Sequence, residues 1–300
     1  LSLNYTSGTT GKPKGVVGSH RGAYLTALSS VLAFNGLPSR ETRMLWTVPM
    51  FHCNGWQFPY SLAAVGGVNV CLRSVSADSI YEKVKQHDVT HLCGAPIVLR
   101  FATEAMQRLQ AATDDDDLER RRRPPHLRRR LKMMLGGAAP PPATLRAAEE
   151  AGIDVLHAYG LTEVYGPQAS NEWDPAWNNL DQKQRALLKA RQGVETATLH
   201  GFDVLSDDSL VPRDGETLGE VVFRGNGVMK GYLKDPRANE AAFGPKGDWF
   251  RSGDVGVVHA DGYAEVKDRA KDIVISGGEN ISSLEVEAAV MENPDVVECA

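Results

Sequence analysis

Short apolar runs typical of β-strands alternate along this chain with segments whose apolar residues recur at helical spacing. The clearest strand-like runs are 44–48, 68–72, 90–93, 153–156 and 218–223. At the start, residues 1–6 alternate with period two, a Gly/Thr/Ser loop follows, and apolar residues then recur at helical spacing after Ser19. Strands and helices in alternation predict an α/β fold, with helices layered on a buried sheet.

The composition is that of an ordinary globular chain, since its 300 residues are 42% hydrophobic and carry a net charge of −5. Such a length suggests about two domains, and no apolar run approaches the ~18 residues of a membrane helix. The four cysteines form no Cys-x-x-Cys pair, and the chain opens on Leu1 without a signal-peptide pattern. We therefore expect no membrane span, no disulfide scaffold and a cytoplasmic location, with the peroxisome left open.

One tract of low complexity, residues 114–132, holds five acidic and eight basic residues. Its local charge of +3 leaves −8 for the rest of the chain, and its own acids compensate its arginines. The tract predicts a solvated surface loop. A nucleic-acid-binding module built on it is the most remote alternative, and we expect no nucleic-acid partner.

The end of the chain shows a change of character. A hairpin pattern around Gly262 is followed by a charged joint, a strand-like run and a helix over 284–291, with Ser282 beginning a capping box. The joint predicts a domain boundary, which would leave residues 272–300 as the start of an unfinished unit.

The most informative motif is the loop at residues 6–15, Thr-Ser-Gly-Thr-Thr-Gly-Lys-Pro-Lys-Gly. Its glycines let backbone N–H groups approach an anion, its hydroxyls add donors, and Lys12 and Lys14 neutralise charge, a combination that suits a polyphosphate. It is not a Walker A loop, because Pro13 follows Lys12 and no G-x-x-x-x-G-K-[ST] frame fits. A flexible turn between strand and helix is the alternative.

Four further blocks follow this loop. They are 48–56 (VPMFHCNGW), 134–140 (MLGGAAP), 157–163 (HAYGLTE) and a series from Trp249 through Asp268 and Arg269 to Asn280. Together the five blocks resemble the adenylate-forming enzymes, a family that includes acyl-CoA synthetases, 4-coumarate ligases, firefly luciferase and the adenylation domains of peptide synthetases. The resemblance covers nearly the whole chain. It implies the layered α/β large domain of that family over 1–270, truncated at its start, and the beginning of its small mobile α+β domain over 271–300.

The resemblance assigns roles around the phosphates. In this family a carboxylate attacks the α-phosphate of ATP, so two anions meet, and the site must screen charge and hold the attack in line. Thr162 would bond the α-phosphate, and Glu163 would hold Mg²⁺, which prefers oxygen ligands. The β- and γ-phosphates would be held by the loop residues Thr6, Ser7, Gly8, Thr9, Thr10, Gly11 and Lys14.

The nucleoside would be bound by residues from three blocks. Asp254 would accept hydrogen bonds from both ribose hydroxyls, and Arg269 would donate to the same sugar. Adenine would lie against the flat face of Tyr159 and be lined by Gly137, Ala138, Ala139 and Gly160. Without the family, Thr162 and Glu163 would be read as a helix start, Asp254 as a turn acid and Arg269 as a surface ion pair.

The acyl and thiol sides follow from the same resemblance. His52, Asn54 and Trp56 would border the acyl pocket, with His52 orienting the reacting carboxylate, although a histidine beside apolar residues is by itself more often structural. Lys271 would be the hinge about which the small domain rotates between two half-reactions. The phosphopantetheine arm of CoA would be approached by Gly277, Gly278 and Glu279.

The resulting prediction is an ATP-dependent acyl-CoA synthetase that uses ATP, Mg²⁺ and coenzyme A. Residues 160–193 are similar to the plant and bacterial acyl-activating enzymes, so a short- or medium-chain fatty acid is expected as substrate. An aromatic acid remains an alternative because Phe51 and Trp56 could floor an aromatic pocket. An enzyme that loads a carrier protein and a catalytically weak nucleotide-binding regulator also stay open, as does a homo-oligomeric state.

The chain departs from the family at both ends. It has no initiator methionine and its phosphate loop begins at residue 6, whereas family members carry a long stretch ahead of that loop. Family members also carry a catalytic lysine late in the small domain, and no matching motif follows Gly278. We therefore expect a central piece of a longer protein, nearly inactive in adenylation when expressed alone.

Two further patterns predict no site. His87 and His91 are four residues apart, but 89–93 looks like a strand, in which positions i and i+4 lie ~13 Å apart, so we reject a zinc site there. The glycines at 225, 227 and 231 miss the dinucleotide-binding spacing by one residue and predict a turn.

Overall fold

The computed structural model of the chain describes residues 1–6, 12–34, 40–114, 130–137, 140–244, 247, 249–276, 279–290, 293, 296 and 299. The strands are β1 (Ser2–Thr6), β2 (Lys14–Gly18), β3 (Arg43–Trp46), β4 (Val68–Cys71), β5 (His91–Gly94), β6 (Leu131–Leu135), β7 (Ile153–Leu161), β8 (Gly166–Ser170), β9 (Val194–Glu195), β10 (Gly201–Ser206), β11 (Ser209–Leu210), β12 (Gly219–Arg224), β13 (Phe250–Val258), β14 (Ala264–Arg269), β15 (Val274–Ser276) and β16 (Glu279–Ile281). The helices are α1 (His20–Ala33), α2 (Phe58–Val65), α3 (Ala77–His87), α4 (Pro96–Asp114), α5 (Pro142–Glu150), α6 (Gln182–Ala190), α7 (Pro236–Phe243) and α8 (Ser283–Val290). Shorter helical turns cover Cys53–Trp56, Thr162–Val164 and Pro175–Asn179.

A mixed sheet of seven strands forms the centre of the larger layer, in the order β4-β3-β5-β6-β7-β8-β9. The first five of these strands are parallel, and β8 and β9 extend the sheet antiparallel. Its central strands β3, β5 and β6 are buried on both faces. Leu45 and Leu92 pack in a core with residues of α3, α4 and α5, while the adjacent Met44 and Cys93 pack on the other face with Phe34 and with Phe58 of α2. This is the layered α/β arrangement expected from the strand and helix pattern.

The parallel strands all end at one edge of this sheet. Beyond β3 lies the turn at Cys53–Trp56, beyond β6 lie Gly136 and Gly137, and beyond β7 lies the turn at Thr162–Val164. Ligands of open α/β sheets bind outside the carboxyl ends of the strands. Three of the five sequence blocks are therefore brought to one edge by the topology.

A second sheet is antiparallel, in the order β11-β10-β12-β13-β14. Its core is aromatic, with Phe202, Phe223 and Phe250 buried. The predicted hairpin at its edge is confirmed, because β13 and β14 pair and Gly262 N donates to His259 O at 2.8 Å in the connecting turn. This pairing places residues of the fifth sequence block side by side.

The start of the chain differs from the predicted order of strand, loop and helix. A second strand, β2, pairs with β1 before α1 begins. Val17 in β2 also exchanges hydrogen bonds with residues 230 and 231, Lys230 N donating to Val17 O and Val17 N to Gly231 O, both at 2.9 Å. Local pattern could not reveal a strand that depends on such distant partners. The predicted Ser19 cap of α1 is confirmed, since its Oγ accepts from Gly22 N at 2.9 Å.

The last part of the chain contains the β15–β16 pair and α8. Ser282 does more than begin the helix, because its hydroxyl donates to Lys267 O at 2.5 Å. The carboxylate of Asp268 accepts from Ser283 N at 2.6 Å at the start of α8. The domain boundary at 270 and 271 stays a prediction. The charged tract lies largely outside the described residues, and in the part that is described no helix has the length and apolar character needed to cross a bilayer.

Candidate active site

The turn that follows β3 has an unusual backbone. Cys53, Asn54, Gly55, Trp56 and Gln57 all have positive φ, between 46° and 65°. A left-handed conformation costs a non-glycine residue about 1–2 kcal/mol, so a run of such residues is held by its surroundings. At Gly55 a Cβ would lie 2.6 Å from the Trp46 ring, so only glycine fits there. Strain of this kind concentrates at functional sites.

This left-handed turn carries the three residues predicted for the acyl pocket. His52, just before it, is exposed, with its ring centroid 4.5 Å from that of Phe51. Asn54 Oδ1 accepts from Asn4 Nδ2 at 3.2 Å, while Asn54 Nδ2 is buried and finds no hydrogen-bond partner in the described part of the chain. Trp56 lies against Gly136, where a Cβ would come within 3.2 Å of its ring. His52, Asn54 and Trp56 thus lie in or directly before one turn, and Trp56 brings this turn next to Gly136 of block 134–140.

Thr162 and Glu163 lie in a single helical turn at the end of β7. Cys53 Sγ donates to Thr162 Oγ1 at 3.4 Å, which joins this turn to the left-handed turn. Burial raises the pKa of the Cys53 thiol to about 11, Glu163 adds to the rise, and the Thr162 hydrogen bond opposes it. The thiol is therefore protonated near neutral pH and serves as a donor.

Glu163 is buried and is held by two hydrogen bonds from the segment that follows β12. Its Oε1 accepts from the Tyr232 hydroxyl at 2.8 Å, and its main-chain oxygen accepts from Met229 N at 2.7 Å. Lys14, at the end of the phosphate loop, pairs with Thr6 across the β1–β2 hairpin and places its Nζ 4.9 Å from the Tyr232 ring centroid. The predicted phosphate lysine and the predicted metal carboxylate therefore share one tyrosine. The loop residues Ser7, Gly8, Thr9, Thr10 and Gly11 lie outside the described residues.

The predicted ribose residues meet where the two sheets join. Asp254 and Arg269 are directly opposite in the β13–β14 ladder, with Arg269 Nε 3.7 Å from Asp254 Oδ1. The Tyr159 hydroxyl donates to Asp254 Oδ2, and its ring stacks on Phe223 with centroids 5.6 Å apart. Burial raises the pKa of Asp254, while the Tyr159 hydrogen bond and the Arg269 charge oppose that rise. The carboxylate thus already accepts from the protein, and a bound ribose would share it with Tyr159.

Gly137 and Gly160, the two described glycines that are predicted to line adenine, differ in what they allow. Gly137 has φ of +91°, and a Cβ there would meet no atom within 4 Å, so the space beside it is open. At Gly160 a Cβ would lie 1.8 Å from Gly166 O, so glycine is required for β7 and β8 to approach each other. Ala138 and Ala139 lie outside the described residues.

The predicted hinge residue lies in a turn after β14. Lys271 is exposed, its Nζ is 3.5 Å from Asp272 Oδ1, and Asp272 N donates to Arg269 O at 2.9 Å. Glu279 pairs with Ser276 between β15 and β16, whereas Gly277 and Gly278 lie outside the described residues. Exposure and a short turn are compatible with a hinge, and the role itself remains a prediction.

A family model for AMP-binding enzymes matches residues 1–233. The chain belongs to the AMP-binding enzyme family. It is 47% identical over 303 residues to the peroxisomal butyrate–CoA ligase AAE11 of Arabidopsis thaliana and 49% identical over 300 residues to the acetate–CoA ligase CCL3 of Humulus lupulus. The matches cover 100% and 99% of this chain and 50% of each relative, so the chain spans about half the length of the curated relatives it matches.

A solved structure agrees with this assignment. O-succinylbenzoate CoA synthetase (MenE) of Bacillus subtilis, in complex with ATP and a magnesium ion, superposes with a TM-score of 0.78 at 29% identity. The superposition covers 99% of this chain and 54–55% of the MenE chains. The family and the α/β fold class expected from the sequence are confirmed.

The fit of this AMP-binding chain to a magnesium ion can be judged from its donors. Among the described residues, no group of three or more His, Cys, Asp and Glu side chains could form a metal cage. Mg²⁺ usually keeps several waters and is bound through one or two carboxylates plus substrate phosphates. Glu163 fits that pattern, because Tyr232 engages one of its oxygens and a carboxylate has two.

Two buried side chains of the site carried no assigned role in the sequence. Tyr232 follows the glycines at 225–231, a segment predicted to be a turn, and the structure confirms the turn. Gln168 is fully buried; its Nε2 donates to Thr26 Oγ1 at 2.6 Å and to Val164 O at 3.1 Å, so it supports the turn that carries Glu163. No local signal marked either residue, because their partners are distant in sequence or belong to the backbone.

Proposed function

We propose that the full-length protein is an ATP-dependent acyl-CoA synthetase that activates a short- or medium-chain carboxylic acid. The observation that carries the proposal is the convergence of three sequence blocks on Thr162 and Glu163. The left-handed turn touches Thr162 through Cys53, and Tyr232 links Glu163 to Lys14. ATP and CoA are the substrates of AMP-binding CoA ligases, and the Arabidopsis and Humulus relatives are named for butyrate and acetate.

In the first half-reaction, a carboxylate oxygen attacks the α-phosphorus of ATP. A new P–O bond forms, the α,β-phosphoanhydride bond breaks, and pyrophosphate leaves with the electron pair. Lys14 and the phosphate loop would hold the departing phosphates, and Thr162 would donate to the α-phosphate. A magnesium ion held by Glu163 would neutralise charge on the phosphate oxygens.

In the second half-reaction, the CoA thiol attacks the acyl carbon and expels AMP. The C–S bond forms, the C–O bond to the phosphate breaks, and the thiol proton is released. Asp254 and Arg269 would hold the ribose of AMP through both steps. We place the boundary between a large domain and a small mobile domain at residues 270 and 271, with Lys271 as the hinge and residues 277–279 approaching the pantetheine arm.

The pocket residues support an acyl group that lies along the left-handed turn. Trp56 would form its wall against Gly136, and the unpartnered Nδ2 of Asn54 is a donor that could face a substrate oxygen. His52 would orient the carboxylate from its exposed position. The relatives named for acetate and butyrate favour a short chain over an aromatic acid.

The proposal is tested with a panel of carboxylic acids and the full-length protein. We expect acid-dependent exchange of pyrophosphate into ATP, strongest with short- or medium-chain acids. Thioester formation is then compared between CoA and a holo carrier protein, and we expect CoA to be preferred. Nucleotide binding without exchange for any acid would favour the regulator instead.

Cell compartment belongs to the same proposal. The expectation from the sequence was cytoplasm with the peroxisome open, and the Arabidopsis relative is named as peroxisomal. Fluorescence of the full-length protein, tagged at its amino terminus, distinguishes a diffuse from a punctate peroxisomal distribution.

A further inference from the structure

Tyr232 lies between the two charged side chains that the proposed function assigns to MgATP. Its hydroxyl donates to Glu163 Oε1 at 2.8 Å, and its ring face lies 4.9 Å from Lys14 Nζ. Its backbone forms a bridge with Val16 in β2. The Tyr232 side chain therefore contacts both Lys14 in the β1–β2 hairpin and Glu163 in the turn at the end of β7.

The backbone of Tyr232 is fixed on both sides. Tyr232 N donates to Asn239 Oδ1 at 2.6 Å, and Asn239 Nδ2 donates back to Tyr232 O at 3.1 Å. The next residue, Leu233, donates its N–H to Gly15 O at 2.7 Å. Gly231 has φ of +140°, and a Cβ there would lie 2.8 Å from Asn239 Oδ1, so the approach to Tyr232 needs glycine. Contacts with α7 and β2 together therefore fix the backbone position from which the Tyr232 side chain extends.

The chemistry of the phenol suits both contacts. The Tyr232 hydroxyl donates to Glu163 Oε1, as a phenol can because it carries its proton at neutral pH. A hydrogen bond to an ionised carboxylate is about twice as strong as a neutral one, and it orients the group that accepts it. The face of an aromatic ring attracts an ammonium group electrostatically. The hydrogen bond from Tyr232 engages Glu163 Oε1, and a carboxylate has a second oxygen with which it can bind a cation.

We propose that Tyr232 is a positioning residue that holds Glu163 and Lys14 in the arrangement needed for MgATP. This inference rests on the proposed function, because it takes Glu163 as the metal carboxylate and Lys14 as the phosphate lysine. The hydroxyl orients the carboxylate toward the metal, and the ring keeps the ammonium near the phosphates. The two contacts are separable, which makes the role testable.

The test uses Tyr232→Phe in the full-length protein, which keeps the ring and removes the donor. ATP binding is measured calorimetrically at stepped Mg²⁺ concentrations, beside acid-dependent pyrophosphate exchange. We expect the half-saturating Mg²⁺ concentration to rise about tenfold or more, as for other partners of metal ligands, with the KM for the acid unchanged. The matched control is Tyr263→Phe, because the Tyr263 hydroxyl donates to Glu172 O at 2.6 Å away from these residues.

Two further variants separate positioning from general support of the fold. In the Glu163→Gln background, Tyr232→Phe should change the Mg²⁺ dependence less than about twofold, because positioned neighbours are not additive. Lys14→Met should raise the half-saturating ATP concentration and leave the half-saturating Mg²⁺ concentration unchanged. Lys14→Met leaves Tyr232 in place, so an unchanged half-saturating ATP concentration in this variant would overturn the role of the ring contact even where Tyr232→Phe does not fold.

The outcomes distinguish the two proposals. Wild-type exchange and Mg²⁺-dependent ATP binding with no change in Tyr232→Phe would overturn the role of Tyr232 and leave the proposed function standing. A fall in kcat alone, with unaltered Mg²⁺ and ATP dependence, would also overturn it. Wild-type protein that binds MgATP without exchange would overturn the proposed function while the binding measurement still decides on Tyr232. Absence of both activities in the folded wild type would overturn both.

Discussion

The two sheets meet at the candidate site through two tyrosine–carboxylate hydrogen bonds that run in opposite directions. Tyr159 of the seven-stranded sheet donates to Asp254 of the five-stranded sheet, while Tyr232, beyond β12, donates back to Glu163. Asp254 also faces Arg269, whose Nε lies 3.7 Å from Asp254 Oδ1. Asp254 is therefore held by a donor and a cation of the protein, whereas within the described ranges the Glu163 carboxylate accepts a side-chain hydrogen bond from Tyr232 alone, at Oε1.

This difference suggests separate duties for the two carboxylates. A carboxylate satisfied within the protein can bind a neutral sugar by sharing its lone pairs, and it needs no cation for that purpose. A carboxylate with a free oxygen beside a proposed phosphate site suits a divalent ion. The five-stranded sheet would then contribute mainly to binding, and the turn beyond β7 mainly to the chemical step.

The strongest test of these separate roles is to neutralise each carboxylate in turn in the full-length protein. Glu163→Gln should lower acid-dependent pyrophosphate exchange about 10²- to 10³-fold at saturating ATP, since metal stabilisation of the transition state is worth several kcal/mol. Asp254→Asn should act mainly by raising the KM for ATP, because ribose contacts exist before and during the reaction. Steady-state kinetics measures both. A KM effect from Glu163→Gln and a rate effect from Asp254→Asn would show that the two carboxylates have the opposite roles.

The residues in this first prediction were accessible from the sequence. Thr162, Glu163, Asp254 and Arg269 stand in ordered blocks that resemble a family, and the structure brings them to one edge where both sheets end. Tyr232 was not accessible, because a tyrosine after a turn carries no mark of a carboxylate 69 residues away. Hydrogen bonds between distant side chains follow from the completed fold.

Backbone features, too, were predictable only where their cause is local in the sequence. Strands with clear apolar runs, such as β3 and β4, were predicted within two residues, because their burial is written in the local pattern. The strand β2 and the left-handed turn at Cys53–Gln57 were not. The first pairs with β1 and is also hydrogen-bonded to residues 230–233, and the second places Cys, Asn, Trp and Gln in a conformation that their own propensities disfavour. Tertiary contacts decide both.

A second contrast between the sheets concerns pH. His157 and His91 are buried in the seven-stranded sheet, and burial lowers the pKa of each from 6.5 to about 4. His157 Nδ1 lies 3.0 Å from Arg191 O, and the Lys132 charge adds to the lowering at His91. As pH falls, these histidines are protonated in the unfolded chain before they are protonated in the folded one. Their contribution to the free energy of unfolding is therefore fully present above pH 6.5 and is lost as pH falls toward 4.

Asp214, in the segment between β11 and β12 of the five-stranded sheet, responds at lower pH. Hydrogen bonds from the Thr217 hydroxyl and from backbone N–H groups lower the pKa of Asp214 to about 2. Its contribution is present above the ordinary value of 3.8 and is lost only as pH falls toward 2. Between pH 7.5 and 5, only the seven-stranded sheet should therefore lose stability from these groups.

The variant that measures this contrast is His157→Asn, whose amide can still donate to Arg191 O. Urea unfolding at pH 7.5 and pH 5 should show a loss of stability in the wild type that is smaller in His157→Asn by roughly 2 kcal/mol. Asp214→Asn serves as the control and should change stability equally at both pH values. An unchanged pH dependence in His157→Asn would mean that His157 is not kept neutral by the fold.

A smaller effect is expected from the hydrogen bond that joins the sheets at Asp254. Tyr159→Phe keeps the stacking on Phe223 and removes the donor, leaving a buried carboxylate less well satisfied. The free energy of unfolding should fall by about 1–2 kcal/mol. The same substitution in the Asp254→Asn background should cost less, and urea unfolding of the four proteins measures the difference. Equal costs in both backgrounds would show that the hydrogen bond does not couple the sheets.

The smallest effect should come from an ion pair that also spans the two sheets. Arg191 Nη1 lies 3.0 Å from Asp261 Oδ2, linking the segment after α6 to the hairpin turn, and the Asp261 side chain is 40% exposed. Exposed pairs contribute about 0.2–1 kcal/mol and are screened by salt. Asp261→Asn should therefore lower stability by less than about 1 kcal/mol at low ionic strength, with less effect at 1 M salt, as measured by urea unfolding. A larger loss that persists in high salt would instead place the Asp261 side chain among the structural contacts of the turn, such as its hydrogen bond from Tyr263 N at 3.1 Å.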